Sequence, residues 1–124
     1  MKVANIISVI LFLVFLILGM QWLTNPSSAA ESLSMIYLDG DGRNTQIRDF
    51  AALFISSSIF ALISLLTKQY QWIFCVGIIY FIAAISGITA GIFYNAPISY
   101  SSLISEIIFA MSAFFAAYKF NTYR

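Results

Sequence analysis

The chain has 124 residues, of which 61% are hydrophobic and only 9% charged, with a formal net charge of +1. A water-facing domain carries about 25% charged residues, so most of this surface is built to face lipid, and one folding unit is expected at this length. No basic stripe is available for a nucleic-acid partner, and the absence of His together with a single cysteine, Cys75, excludes His-ligated metals, intrachain disulfides and Cys/His or Ser/His/Asp nucleophiles.

After Met1-Lys2 the sequence is apolar from Val3 to Leu23. A signal-peptide core of about 7 to 15 residues ending near Ser27-Ser28-Ala29 is the competing reading. About 20 residues of helix at ~1.5 Å each match a ~30 Å hydrocarbon core better. The run therefore predicts a first transmembrane helix, 3–23, with Trp22 at headgroup level. Thr24-Asn25-Pro26 stops that helix and starts another, Asn25 serving as N-cap and Pro26 as first helical residue. A short amphipathic helix from Pro26 to Met35 is expected to lie on the membrane surface, with Ala29, Ala30 and Leu33 on one side and Ser28, Glu31 and Ser32 on the other. The segment from Leu38 to Asn44 is the most polar of the chain. Asp39, Asp41 and Asn44 fit a calcium loop poorly, because Arg43 takes a ligand position and Phe50 stands where Glu is required. A Gly-rich turn is expected there instead.

Three further helices are predicted over 50–67, 72–94 and 101–118, separated by a polar turn from Lys68 to Gln71 and by the break Asn95-Ala96-Pro97. Short connections make successive helices antiparallel neighbours, which predicts an all-α integral membrane four-helix bundle. Lys2, Lys68, Lys119 and Arg124 then lie on one side, and Arg43 and Arg48 on the other with Glu31, Asp39, Asp41 and Asp49. The positive-inside tendency places both termini in the cytoplasm and the first loop outside, in the periplasm if the membrane is a bacterial inner membrane.

Charges inside apolar runs are expensive and mark candidate sites. Arg48 and Asp49 stand where the polar segment turns apolar, and Glu106 is the only other charge within an apolar run. Asp49 is expected to open its helix, sharing a face with Ala52 and Ser56. Glu106 is expected about one and a half turns into the last helix, on a face with Ser102, Ala110, Ala113 and Ala117. At similar depths, Arg48, Asp49 and Glu106 are expected to face one another. Two readings stay open. Arg48 and Glu106 staple two helices while Asp49 caps one, or the three line a polar pocket that binds a ligand or relays protons. Ala113 and Ala117 are expected at helix contacts, as is a stripe of Tyr80, Ala84, Gly87 and Gly91 containing a GxxxG motif. Cys75 is expected to pack as a small apolar residue.

Gly19-Met20-Gln21-Trp22-Leu23, then Asn25-Pro26 with an Ala-rich turn, then Arg48-Asp49-Phe50 opening a helix, resembles the bacterial family called domain of unknown function 4345. The resemblance covers most of the chain. It implies a four-helix integral membrane protein and no particular reaction. Members of that family often carry an Arg beside the Gly of the third helix, whereas this chain reads Ile85-Ser86-Gly87-Ile88 and leaves Glu106 without that partner. The expected function is non-enzymatic: binding a lipid or hydrophobic ligand, or serving as an accessory subunit. The alternative is a membrane enzyme or carrier that moves protons through Asp49 and Glu106. No cofactor or metal is expected; the expected partners are membrane lipids, with a protein partner or a second copy of the chain.

Overall fold

In hydrocarbon a backbone must satisfy its polar groups within its own segment, so apolar runs of this length become helices. The computed structural model describes residues 1–122 and contains α1 (Lys2–Thr24), α2 (Pro26–Ser32), α3 (Gly40–Thr67), α4 (Tyr70–Phe93) and α5 (Tyr100–Thr122). All but α2 are long and apolar enough to cross a membrane, the signature of a multi-pass integral membrane protein. Arg124, which enters the orientation argument, lies outside the described residues.

The bundle is two hairpins. α1 packs most extensively on α3 and α4 on α5, with thinner contacts of α1 on α5 and α3 on α4 closing the ring. Lys68 Nζ donates to Asn5 Oδ1 at 2.8 Å and so ties the start of α1 to the end of α3. The α3–α4 turn is shorter than the sequence suggests, because one buried hydroxyl organises both helix ends. Ser64 Oγ donates to the Gln69 carbonyl at 2.7 Å and accepts from the Ile73 N–H at 2.8 Å. Lys68 between them takes a left-handed conformation, with its N–H on the Ser64 carbonyl.

Small residues let helices approach where lipid gives little drive for association. Ala4, Ala61, Ala113, Ala116 and Ala117 are buried in the half of the bundle that holds Lys68. The close-approach glycines are not those of the GxxxG motif. A Cβ at Gly19 would meet Ile55 Cγ1 at 2.5 Å, and one at Gly77 would meet the Phe114 ring at 2.5 Å. A Cβ at Gly87 would meet nothing within 4 Å, and one at Gly91 would meet Ile98 and the Ala96 carbonyl of the following loop. The expected helix contact at Gly87 and Gly91 is therefore absent. The stripe fails because α4 leaves the bundle: among the described residues, nothing on α4 beyond Ala84 is buried, nor anything on α5 before Ala110.

Four further expectations change. The second long helix starts at Gly40, ten residues before Phe50, and the supposed Gly-rich turn forms its first turns. At 28 residues it runs about 42 Å, beyond the ~30 Å apolar core, so its polar start stands clear of the hydrocarbon. Asp41 lies in the first turn, where the helix dipole favours an acid. Arg43 Nε donates to the Leu38 carbonyl at 2.8 Å and its Nη2 to Asp39 Oδ1 at 2.9 Å, bonds that offset part of the cost of Gly40 and Gly42 in a helix. α2 stops at Ser32 rather than Met35, closed by Met35 N–H on the Ala30 carbonyl and Ser34 N–H on the Glu31 carbonyl, with Ser34 at φ 60°. Trp22 is 1% exposed and stacks on Phe50 at 4.9 Å, so it packs in the core instead of facing headgroups. Cys75 sits on the exposed side of α4. Asn25 holds the N-cap position before Pro26 without a capping side-chain bond.

Candidate functional site

Because α4 and α5 part from the other hairpin beyond Ala84 and before Ala110, the far half of the bundle holds a half-open cavity of about 600 Å³. All four long helices line it, and the segments around Leu33–Met35 and Pro97–Ser99 roof it. Its floor is aromatic, with Phe54, Tyr80 and Phe109 lining it and Phe15 of α1 packed directly behind them. Phe15 stacks on Tyr80 at 4.8 Å and on Phe54 at 6.4 Å, and Phe109 meets Phe15 edge-on at 4.8 Å. Such pairs contribute about 0.5–1.5 kcal/mol each beyond area burial, so they help hold the four helices together at this level. Tyr80 OH donates to Ser57 Oγ at 3.1 Å, and Ser57 Oγ donates to the Leu53 carbonyl at 2.8 Å, so the floor's buried hydroxyls are satisfied.

Glu106 lines this cavity, six residues past Tyr100 and roughly 9 Å into α5. Among the described residues it forms no ion pair and no side-chain hydrogen bond. Its neighbours are bound elsewhere: Ser105 Oγ donates to the Ser101 carbonyl and Ser99 Oγ to Ser102 Oγ. Glu106 thus takes the inward position its small-residue face implies.

Arg48 and Asp49 do not join it. They pair with each other, Nε to Oδ1 at 3.0 Å, with side chains 64% and 60% exposed. Neither lines the main cavity; Asp49 borders a shallower hollow with Asp41, Thr45 and Gln46. The reason is the helix start. With Gly40 as its first residue, α3 carries Asp49 well past its N-terminal turn, so it caps nothing and shares the exposed face with Ala52 and Ser56. The expected three-residue cluster therefore divides into an exposed pair, contributing about 0–1 kcal/mol as such pairs do, and a lone carboxyl in the cavity.

Two features of this region were not legible in the sequence. Gln46 is 4% exposed; its Nε2 donates to the Ile36 carbonyl at 3.1 Å and its Oε1 accepts from the Leu38 N–H at 3.0 Å, strapping to α3 the segment that follows the Leu33–Met35 part of the roof. No periodic pattern singles it out, because its partners lie eight and ten residues away in an irregular segment. The aromatic floor is equally hidden among twelve Phe and seven Tyr. Among the described residues no group of three or more His, Cys, Asp or Glu is placed to hold a metal ion. No family model, no curated protein and no solved structure matches the chain. Fold and site together define a multi-pass α-helical membrane bundle whose larger apolar cavity carries the carboxyl of Glu106.

Proposed function

We propose that the protein is a non-enzymatic membrane binding protein that holds a hydrophobic small molecule or lipid tail between its two hairpins. It is the kind of four-helix protein implied by the resemblance to domain of unknown function 4345. The observation that carries this reading is the cavity itself. Its roughly 600 Å³ falls in the range of about 300–1,000 Å³ typical of small-molecule sites, and like them it has apolar walls and few polar groups. A close-packed bundle has no reason to keep such a space, since every unfilled wall atom forgoes dispersion contacts. Proton transfer through an Asp49/Glu106 pair lacks support, because Asp49 is exposed and bound to Arg48. The proposed setting is a bacterial inner membrane with both termini cytoplasmic, which puts the cavity in the periplasmic half of the bundle.

Native mass spectrometry of the gently extracted protein tests the reading. The wild type is expected to retain a bound mass, and Ala83→Phe, which places a ring in the cavity wall, is expected to lose it while keeping its fold. Equal retained mass in both proteins, or none in either, would remove the cavity as a binding site. A retained mass of protein size would instead favour an accessory-subunit role.

A further inference from the structure

Resting on the reading of the cavity as a binding site, the geometry points to its ligand class: we infer that it selects a lipophilic organic cation, an apolar body carrying one positive charge, with Glu106 as the counter-charge. Glu106 is half-buried in an apolar wall, and a carboxylate partly withdrawn from water in such a wall is stabilised by a cation at close range. Every base among the described residues is engaged or placed elsewhere. Arg43 is bonded to Asp39 and Arg48 to Asp49, both at the exposed start of α3. Lys68 donates to Asn5, and Lys119 lies 5.5 Å from the Phe115 ring in the last turns of α5. Lys2 opens α1 at the same end as Lys68.

None of these bases lines the cavity. The acids Asp39, Asp41 and Asp49 also stand outside it, so Glu106 alone sets its charge. The remaining walls suit the rest of such a ligand. Phe50, Phe54, Tyr80 and Phe109 line the same cavity as the carboxyl, and aromatic rings attract organic cations through their quadrupoles. An anionic amphiphile such as a fatty acid would bring a second negative charge beside Glu106 and has no cation to meet. A neutral hydrophobe would leave the carboxyl unpaired.

The experiment uses the full chain in nanodiscs of zwitterionic lipid and two ions of nearly the same shape, tetraphenylphosphonium and tetraphenylborate, with binding to empty discs subtracted. Wild-type protein is expected to bind the cation at least about tenfold more tightly than the anion, a difference of about 1.4 kcal/mol. Glu106→Gln is expected to abolish the preference, Glu106→Asp to keep it, and Asp49→Asn, a charge removed from outside the cavity, to leave it unchanged.

A measurement on the wild type needs no variant to fold. A hydrophobic carbodiimide is expected to modify Glu106, located by peptide mass spectrometry, and tetraphenylphosphonium but not tetraphenylborate is expected to slow that modification. Equal binding of the two ions, a preference that survives Glu106→Gln, or unprotected Glu106 would each overturn the inference. If both ions bind equally and both are lost in Ala83→Phe, the cavity stands as a binding site and only its charge selection falls. If neither binds and no mass is retained in native spectrometry, the site itself falls.

Discussion

A side chain at Gly77 has nowhere to go. The ring of Phe114 lies 2.5 Å from where its Cβ would be, whereas Gly87 faces open space. Gly77→Leu must therefore displace the Phe114 ring, half-buried at the α4–α5 contact, and is expected to destabilise by about 1–3 kcal/mol, as overpacking does. Gly87→Leu is expected to change the melting temperature in detergent little. Thermal unfolding of the two variants side by side checks the order, and equal losses would mean that the α4–α5 contact lies elsewhere. Residue spacing favours the opposite order, because Gly87 and Gly91 carry the recognisable motif and Gly77 carries none. The motif reports which residues share a face, and that much is correct for Tyr80 and Ala84. It does not report where two helices part, and they part within one turn of Ala84. Glu106 was legible because its own helix places it among Ser102, Ala110 and Ala113. Its supposed partners were not, since their position depends on a helix start that lies ten residues upstream of the apolar run.

At the scale of elements, apolar run length located α1, α4 and α5 to within a few residues, because lipid thickness sets that length physically. The polar start of α3 obeys no such rule. Gly40, Gly42 and Asn44 all favour a turn locally, and tertiary bonds override them. Gln46 is central to that override. It accepts from the Leu38 N–H and donates to the Ile36 carbonyl while nearly fully buried, so it holds the 36–38 segment across the first turns of the helix. Gln46→Ala leaves a backbone donor and acceptor without partners, at a cost of about 1–3 kcal/mol for each such group that stays buried. The expected outcome is a lower melting temperature together with faster protease cleavage between Leu33 and Asn44. Gln46→Glu keeps the acceptor and loses the donor, and an intermediate effect is expected. Unchanged cleavage in Gln46→Ala would show that Arg43, through its bonds to Leu38 and Asp39, holds the segment alone.

For the whole molecule, the alternation of four long helices and the Lys68–Asn5 bond put Lys2, Lys68 and Lys119 at one end and Arg43 and Arg48 at the other. In the orientation proposed above the first end is cytoplasmic, and the cavity lies toward the opposite end. Chemical labelling can test this directly because the sequence has a single cysteine. Cys75 lies five residues past Tyr70, roughly 8 Å along α4, on its exposed side. In a bilayer that side faces acyl chains, where a thiolate, the reactive form, is not sustained. Wild-type protein in right-side-out spheroplasts is therefore expected to resist a membrane-impermeant maleimide and to react once dissolved in SDS. In a Cys75→Ala background, Asn44→Cys and Ala96→Cys mark the polar start of α3 and the α4–α5 loop, and Gln71→Cys marks the exposed first turn of α4. The first two are expected to label in intact spheroplasts and Gln71→Cys only after lysis. The reverse pattern would turn the bundle over and place the cavity on the cytoplasmic side. Labelling of Ala96→Cys and Gln71→Cys from the same side would mean that α4 does not cross the membrane, and the two-hairpin bundle could not then be transmembrane as a whole.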